Sequence, residues 1–239
     1  MKIESLRDRW ADPLLTALTA LLVVMMFVVA PLQALGIFAF QVSELVLALL
    51  LVGGIFIISG SPIAVAAMLL ALVMIVTGAV LRFHSPSLLD LNLFAGAWFI
   101  VGVTMAWAVA RATFAPGRIN YHRVVGAVLL YLTVAVIFAA LFTFVGSLVP
   151  EAFSGMKVED KPSLASQVIY FSFATMTTTG YGDVSPVHPI VRSLCNLEAI
   201  FGQLYPATLL ARLVTLELEH RDKEEVWSCH AFSARMREG

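Results

Sequence analysis

The sequence is poor in charged residues and in cysteine, and both shortages restrict what the protein can be. Of its 239 residues, 13% are charged and 60% are hydrophobic, and the mean hydropathy is +0.91. Soluble domains carry about 25% charged residues, so the composition predicts an integral protein of the lipid bilayer. The net charge of −1 argues against a nucleic-acid partner. One cysteine lies in an apolar segment and the other in the tail, which argues against a disulfide between them.

The sequence also lacks the residue groupings that catalysis requires. Its five histidines show no metal-ligand spacing, and nowhere do a nucleophile, a base and a metal cluster converge. We therefore expect a protein that is not an enzyme and has no cofactor.

Long apolar runs dominate what is present. A helix needs about 20 apolar residues to cross the hydrocarbon of a bilayer. Six runs of that kind are found, at 13–35, 43–60, 62–81, 92–110, 124–149 and 188–216. A seventh run, at 163–176, is too short to span and is typical of the half-buried helix of a re-entrant loop. The first run is longer than the apolar part of a signal peptide and lacks a clean cleavage site, which favours a retained span.

Basic residues near the ends of these runs predict the orientation. They cluster before the first run, between the fourth and fifth, and after the sixth, at Lys2, Arg7, Arg9, Arg111, Arg118, Arg123, Arg212, Arg221 and Lys223. Six spans then place both termini in the cytoplasm and the segment 150–162 outside. The acidic residues of that segment outnumber its lysines, which predicts a modest local enrichment of cations.

The most informative stretch is 177–183, with the sequence Thr-Thr-Thr-Gly-Tyr-Gly-Asp. Gly180 and Gly182 lack a Cβ and can adopt backbone angles that are forbidden to other residues. When such glycines alternate with ordinary residues, consecutive carbonyl groups can turn toward one axis. Four such loops in a ring could replace the hydration shell of a cation with carbonyl oxygens. A single loop cannot close a ring, so the pattern predicts a homotetramer.

This stretch resembles the selectivity filter of the tetrameric potassium channel family, whose usual form is Thr-Val-Gly-Tyr-Gly-Asp. The preceding residues 170–176 look like the pore helix of that family, and the resemblance covers roughly 124–217. It implies an all-α membrane protein with six transmembrane helices, a re-entrant pore helix and a filter loop, assembled as a tetramer. The implied function is a potassium-selective channel, with K+ as the permeant ion.

The resemblance also implies roles within the filter. The carbonyl groups of Thr178, Thr179, Gly180 and Tyr181 would line the ion sites, and Gly182 would complete the loop. The hydroxyl of Thr178 would complete the innermost site. The side chain of Tyr181 would point away from the axis and pack against the pore helix.

Three residues are implied to support the filter. Asp183 would tie the outer mouth to its surroundings, and Thr175 and Thr177 would support the filter. The sequence departs from the family at Thr179, where valine is common, so its hydroxyl needs a partner behind the filter. It also departs at Ala174, where some members have a glutamate that braces the aspartate at the mouth.

The sixth run contains the predicted gate. By resemblance, Gly202 is the hinge glycine, and Pro206 would bend the helix because proline removes a backbone hydrogen bond; close helix packing is the alternative for both. Asn196 and Gln203 are seven residues apart and share a helix face, which we assign to the aqueous cavity, with hydrogen bonding between helices as the alternative. Glu198 points away from that face and needs a hydroxyl of the pore helix, Arg192 or a bound proton.

The first four runs occupy the position of a voltage sensor but lack its charges. Voltage sensing needs repeated arginines in the fourth span, and residues 92–110 contain no arginine or lysine. We therefore expect conductance that changes little with voltage. The alternatives left open are a non-selective cation channel on the same scaffold, a subunit of a potassium transporter and a non-conducting membrane scaffold.

The predicted organisation has five parts. They are a cytoplasmic N-terminal segment (1–12), a four-helix transmembrane domain (13–110), a cytoplasmic linker (111–123), a pore domain (124–216) and a short cytoplasmic tail (217–239). No cytoplasmic ligand-binding domain fits in so short a tail. A small chain of this design is predicted to reside in a bacterial inner membrane.

Overall fold

The computed structural model describes residues 16–36, 61–84, 88–113 and 121–235. Six helices follow in order: α1 (Thr16–Ala34), α2 (Pro62–His84), α3 (Leu88–Thr113), α4 (Tyr121–Leu148), α5 (Leu164–Met176) and α6 (Pro189–Arg235). Two short strands, β1 (Phe153–Ser154) and β2 (Ser185–Pro186), flank α5. The predicted span 43–60, the N-terminal segment 1–12 and most of the linker 111–123 lie outside the described residues.

The helices confirm an all-α membrane protein. Within the described residues, four helices are long and apolar enough to cross a membrane: Thr16–Ala34, Pro62–Arg82, Leu88–Arg111 and Val124–Leu148. The short helix α5 begins and ends within one residue of the predicted pore helix. Helix α6 is not among the four apolar spans, because Asn196, Glu198 and Gln203 interrupt its apolar character.

Helix α3 packs antiparallel to both of its neighbours in sequence, α2 and α4. The hydroxyl of Thr104 in α3 lies 3.5 Å from the sulfur of Met68 in α2. Near the other end of α3, the hydroxyl of Ser147 in α4 lies 2.5 Å from the Oδ1 atom of Asn92. The start of α3 is therefore level with the ends of α2 and α4, and all three ends lie on one side of the bundle.

An aromatic cluster fixes the pore helix to α4. The ring of Phe142 meets the ring of Phe171 in α5 edge-on at 5.0 Å and that of Phe153 in β1 at 6.0 Å. The rings of Phe153 and Phe171 are 5.3 Å apart and nearly perpendicular. Such edge-to-face pairs contribute about 0.5–1.5 kcal/mol each beyond the area that they bury. They hold α5 in one orientation beneath the loop 149–163, named the outer loop because the sequence predicts that it faces outward.

The outer loop is closed against the segment that follows the filter. Strands β1 and β2 pair antiparallel, with Phe153 opposite Pro186. Gly155 has a φ of +84°, and a Cβ at this position would lie 1.9 Å from the carbonyl oxygen of Asp183. Only glycine permits so close an approach, so the loop after α4 packs directly on the end of the filter.

The peripheral helices contact the pore on the same side. Arg82, at the end of α2, forms an ion pair with Asp160 in the loop before α5. Arg82, Asp160 and Gln33, near the end of α1, also line one largely apolar cavity of about 160 Å³ beside α5. The ends of α1, α2 and α4 and the start of α3 therefore lie together at the level of the outer loop.

Candidate functional site

The filter loop starts where the pore helix ends. The amide of Thr177 donates to the carbonyl oxygen of Phe173 at 2.9 Å, and that of Thr178 donates to Thr175 at 3.0 Å. The amide of Gly180 then reaches back to the carbonyl oxygen of Ala174 at 3.1 Å. These bonds satisfy the last carbonyl groups of α5, which have no partner within the helix. They also turn the chain back along the pore helix.

The backbone of the loop alternates in handedness. The φ angles of Thr178, Gly180 and Gly182 are +57°, +54° and +82°, whereas those of Thr179 and Tyr181 are not positive. Alternation of this kind directs successive carbonyl groups to the same side of the chain. The sequence predicted it at the two glycines but not at Thr178, because a β-branched residue rarely adopts a positive φ.

The threonine hydroxyls behind the loop form a short chain of hydrogen bonds. The hydroxyl of Thr177 donates to the carbonyl oxygen of Phe173 at 2.6 Å and lies 2.8 Å from the hydroxyl of Thr179. A hydroxyl has one hydrogen, so Thr179 is the donor in the second contact. The partner that the hydroxyl of Thr179 needs is therefore Thr177. Thr175 bonds its own helix, through the carbonyl oxygen of Phe171 at 2.9 Å.

Tyr170 in the pore helix braces the outer end of the filter. Its ring stacks on the ring of Tyr181 with 5.9 Å between centroids and 11° between planes. Its hydroxyl donates to Oδ2 of Asp183 at 2.9 Å, and Oδ1 of Asp183 accepts from the amide of Val184 at 3.0 Å. The sequence did not predict this role of Tyr170, because the family resemblance places the bracing residue at the position of Ala174. The side chains of Tyr170, Tyr181 and Asp183 therefore hold this mouth without a glutamate.

The base of the filter meets α6. The side-chain amide of Gln203 donates to the hydroxyl of Thr178 at 3.3 Å, and that hydroxyl donates to the carbonyl oxygen of Thr177 at 2.7 Å. Asn196 lies seven residues earlier, about 10 Å further along the helix toward the outer side. That rise places its backbone level with the filter rather than below it. A cavity role for Gln203 and Asn196 stays a prediction.

Gly202 is a site of close packing between α5 and α6. A Cβ there would lie 2.0 Å from the carbonyl oxygen of Met176 and 2.7 Å from its Cγ. The helix continues without interruption through Gly202 and Pro206 to Arg235. This geometry favours the packing alternative for Gly202, and a hinge at Gly202 or Pro206 stays a prediction.

Tyr205 links the inner half of α6 to α4 and was also missed from the sequence. Its hydroxyl donates to the carbonyl oxygen of Ala127 at 2.8 Å. Its ring stacks with that of Tyr131 at 6.0 Å and with that of Phe201 at 5.7 Å. The signal in the sequence that could have indicated Tyr205 is an aromatic residue directly before Pro206.

The partner of Glu198 is a pore-helix hydroxyl. Its side chain has no exposed surface, and its Oε1 atom lies 2.5 Å from the hydroxyl oxygen of Ser172. Arg192, the other candidate, instead donates from Nε to the carbonyl oxygen of Pro186 at 3.1 Å.

The acidic outer segment is partly neutralised by its own basic neighbours. Lys161 lies 2.6 Å from Glu159, and this hydrogen bond and the lysine charge lower the pKa of Glu159. Burial raises the pKa of Asp160, although the charge of Arg82 opposes that shift. The expected enrichment of cations by this segment is therefore weaker than its acid count indicates.

The filter residues are accessible within one subunit. Residues 177–183 are all exposed, and the side chain of Tyr181 retains 71% of its accessible surface. Among the described residues, no group of three or more His, Cys, Asp or Glu side chains is placed to hold a metal ion. The loop itself carries main-chain carbonyl oxygens and three threonine hydroxyl oxygens that a cation could contact.

Comparisons with known proteins agree with this site. Residues 126–218 match a family described as ion channel. The chain is similar to the inward rectifier potassium channel Kirbac3.1 of Paramagnetospirillum magnetotacticum, with 32% identity over 75 residues, which are 31% of this chain and 23% of that protein. It is also similar to Protein LctB of Bacillus caldotenax, with 35% identity over 63 residues, which are 26% of this chain and 46% of that protein. The chain thus spans less than half the length of these relatives. No solved structure shows a significant match.

Proposed function

We propose that this chain belongs to the potassium channel family through residues 126–218 and forms a homotetrameric channel that conducts potassium ions passively. The observation that carries the proposal is the alternation of φ at Thr178, Gly180 and Gly182. It supports a ladder of carbonyl oxygens from Thr178, Thr179, Gly180 and Tyr181 that takes the place of the water around a dehydrated cation.

The exposure of the filter supports the tetramer. One subunit supplies one loop, and residues 177–183 are exposed on it. In a membrane, unsatisfied main-chain groups must be covered by protein or line a water-filled path. Three further copies around a central axis would cover the loop on its flanks and leave only its carbonyl face to the ions.

The positions of the helix ends support six spans. Helix α1 ends beside Arg82 and Asp160, whereas α2 begins at the opposite end of the bundle. Six spans, with the apolar run 43–60 of the sequence as the second, would account for the positions of these two ends. With α6 as the sixth span, both termini are cytoplasmic, the outer loop faces outward and the predicted division into 13–110 and 124–216 is retained. We assign the protein to a bacterial inner membrane.

Helix α3 supports gating that is not steeply dependent on voltage. Between Leu88 and Ala110, its only charged residue is Asp90 in the first turn, and Arg111 lies in the last turn. Moving one charge through 100 mV changes the free energy by about 2.3 kcal/mol. A helix without a row of arginines moves little charge, so voltage can do little work on it.

Potassium selectivity is favoured over the alternative of a non-selective cation channel by the aromatic brace. The stack of Tyr170 on Tyr181 and the bond from Tyr170 to Asp183 fix the loop at its outer end. A fixed ring diameter is what discrimination between cations of different size requires. A potassium transporter subunit is less favoured, because this chain has one loop of full filter sequence.

A liposome flux assay tests the proposal. The purified protein should pass potassium much faster than sodium, and barium should block the potassium flux. Gly180→Ala should abolish it, because a Cβ at a φ of +54° costs about 1–2 kcal/mol. Within the subunit that Cβ would meet nothing within 4 Å, so the strain is confined to the backbone of the loop.

Gly96→Ala is the matched control. Its Cβ would contact only the terminal methyl group of Met74, at 2.8 Å, which is the flexible end of a side chain. This variant should keep normal flux. Equal potassium and sodium fluxes would favour the non-selective channel, and flux that survives Gly180→Ala would refute the assigned pathway.

A further inference from the structure

Glu198 is an acid sealed among three helices behind the filter. It lies in α6 with no exposed surface, and its Oε1 atom contacts the hydroxyl oxygen of Ser172 in α5 at 2.5 Å. Ser172 is also fully buried and contacts the carbonyl oxygen of Ala135 in α4 at 2.9 Å. A charged carboxylate at membrane depth costs about 2.5 kcal/mol or more, so its environment must compensate for the charge or remove it.

The number of hydrogens available to this series of hydrogen bonds decides whether Glu198 is ionised or protonated. A serine hydroxyl has one hydrogen to donate, and a carbonyl oxygen can only accept. Both contacts of Ser172 are hydrogen bonds only if Ser172 donates to Ala135 and Glu198 donates to Ser172. That arrangement requires a proton on Glu198. An ionised Glu198 would leave two acceptor oxygens competing for a single hydrogen.

Within the part of the chain that the structure describes, no positive charge is placed to compensate for an ionised Glu198. The described ionisable groups that act on it or face it are Tyr131 in α4 and Cys195 in α6. From α5 come the hydroxyls of Ser172 and Thr175, the latter bonded to Cys195. None of these groups is basic. The Oε2 atom of Glu198 has no hydrogen-bond partner among the described residues.

The hydrogen-bond chain is coupled to the filter by the register of α5 and α6. Ser172 faces Glu198, and four residues later in both helices Met176 faces Gly202. One turn of each helix therefore separates the two contacts. Met176 is the last residue of α5, and the filter loop starts directly after it. A change in the contact at Ser172 shifts the base from which Thr177 and Thr178 project.

We propose that Glu198 carries a proton and acts as a positioning residue, donating to Ser172 and thereby fixing the pore helix between α4 and α6. Loss of this proton at alkaline pH breaks the hydrogen bonds from Glu198 through Ser172 to Ala135, because a carboxylate cannot donate and no described cation lies beside it. The conducting arrangement then gives way to one in which Glu198 reaches water. Potassium flux falls as pH rises, and it recovers when the pH is returned.

The slope of this fall follows from proton linkage. One proton released per subunit changes the equilibrium between the two arrangements by about tenfold for each pH unit. Cooperation among four subunits would make the fall steeper.

The decisive variant is Glu198→Gln in the full-length protein reconstituted in liposomes. Its amide has both a donor and an acceptor but no proton that can be lost in this range. It should conduct potassium as the wild type does at neutral pH and lose the alkaline decline. Ser172→Ala removes the middle of the chain and should reduce flux at every pH. Tyr131→Phe and Cys195→Ser remove the neighbouring ionisable groups and should keep the alkaline decline.

Infrared difference spectroscopy measures the proton without using ion flux. The wild type should show a carboxylic acid C=O stretching band that disappears over the pH range in which flux falls. That band should be missing from Glu198→Gln and present in Asp160→Asn. This proposal rests on the proposed channel function only for its flux readout, so a protein that conducts no ions would refute the function and leave the spectroscopic test intact. An alkaline decline that persists in Glu198→Gln, or a spectrum without the band in the wild type, would overturn it.

Discussion

The position that a Cβ of Gly202 would occupy lies 2.0 Å from the main-chain carbonyl oxygen of Met176. Main-chain atoms cannot rotate out of the way as a side chain can, so Gly202→Ala must separate α6 from the end of the pore helix. We expect the variant to be destabilised by about 1–3 kcal/mol, as overpacked cores are, and to lose potassium flux. Thermal unfolding of the purified protein and liposome flux measure the two effects.

The same experiment separates packing from hinging. Gly96→Ala, which meets only the flexible end of Met74, should leave both stability and flux nearly unchanged. A hinge at Gly202 would instead give a Gly202→Ala protein of normal stability whose channel opens less often. If Gly202→Ala unfolds at the wild-type temperature, close packing is not the role of this glycine.

Tyr170→Phe tests the brace at the outer mouth. The change removes the hydroxyl that bonds Asp183 at 2.9 Å and keeps the ring that stacks on Tyr181. A hydrogen bond to a charged group is one of the stronger kinds, but this one is exposed to water, so we expect only a small loss of stability. The fixed filter should loosen, and sodium should permeate more readily. Reversal potentials in mixed potassium and sodium measure this change.

Tyr205→Phe is the matched control for Tyr170→Phe. It also removes one tyrosine hydroxyl, here the one bonded to Ala127 at 2.8 Å between α6 and α4. It should lower thermal stability and leave ion preference unchanged. An equal change in selectivity from both variants would mean that the effect of Tyr170 is not local to the mouth.

Much of this architecture follows from residues that are close in sequence. The apolar runs predicted the described spans, because a membrane helix satisfies its own main-chain groups and needs only a long apolar stretch. The bounds of α5 were predicted in the same way, and Gly180 and Gly182 predicted the unusual backbone angles of the filter. For these features the sequence carries the physical cause directly.

The contacts that hold the filter depend on tertiary structure and were harder to predict. Tyr170 and Asp183 are thirteen residues apart and meet only because the loop folds back on the pore helix. The hinge at Gly202 stays a prediction, but the close approach of Gly202 to Met176 could not be predicted, because the sequence does not show what a Cβ there would meet. The positive φ of Thr178 opposes the local preference of threonine and is imposed by the loop around it.

The ion pair of Arg82 and Asp160 joins the peripheral helices to the pore. Both side chains are largely buried, with 12% and 20% of their surface exposed. Removing one partner leaves the other charge in a poorly solvated place, so we expect each of Arg82→Met and Asp160→Asn to cost about 1–2 kcal/mol, less than in a fully buried pair. The double variant should cost less than the sum of the two. Thermal unfolding of all four proteins gives the coupling free energy.

The two single variants should differ in their effect. Burial raises the pKa of Asp160, and the nearby charge of Asp90 adds to the shift, whereas the charge of Arg82 opposes it. A carboxyl with a raised pKa stabilises the folded state below its unfolded pKa, and this contribution is lost as pH rises through the folded pKa. Arg82→Met should therefore be the more harmful change and should worsen from mildly acidic to neutral pH. Additive effects in the double variant would contradict coupling between the peripheral helices and the pore.

Gln203 sets how freely the innermost hydroxyl can bind an ion. Its amide donates to the hydroxyl oxygen of Thr178 at 3.3 Å, and the hydroxyl hydrogen is already given to the carbonyl oxygen of Thr177. The lone pairs of that oxygen are thus shared between the amide and any ion at the base of the filter.

Gln203→Leu removes the competing donor, and a gain of about 1 kcal/mol, typical of one net hydrogen bond, corresponds to roughly fivefold tighter barium block. Dose–response curves for barium in the liposome assay measure this change. Asn196→Leu makes the same kind of substitution about 10 Å further along the helix and should leave barium affinity unchanged, because that rise separates it from the residue that contacts Thr178. Weaker block in Gln203→Leu would show instead that the amide orients the hydroxyl toward the ion.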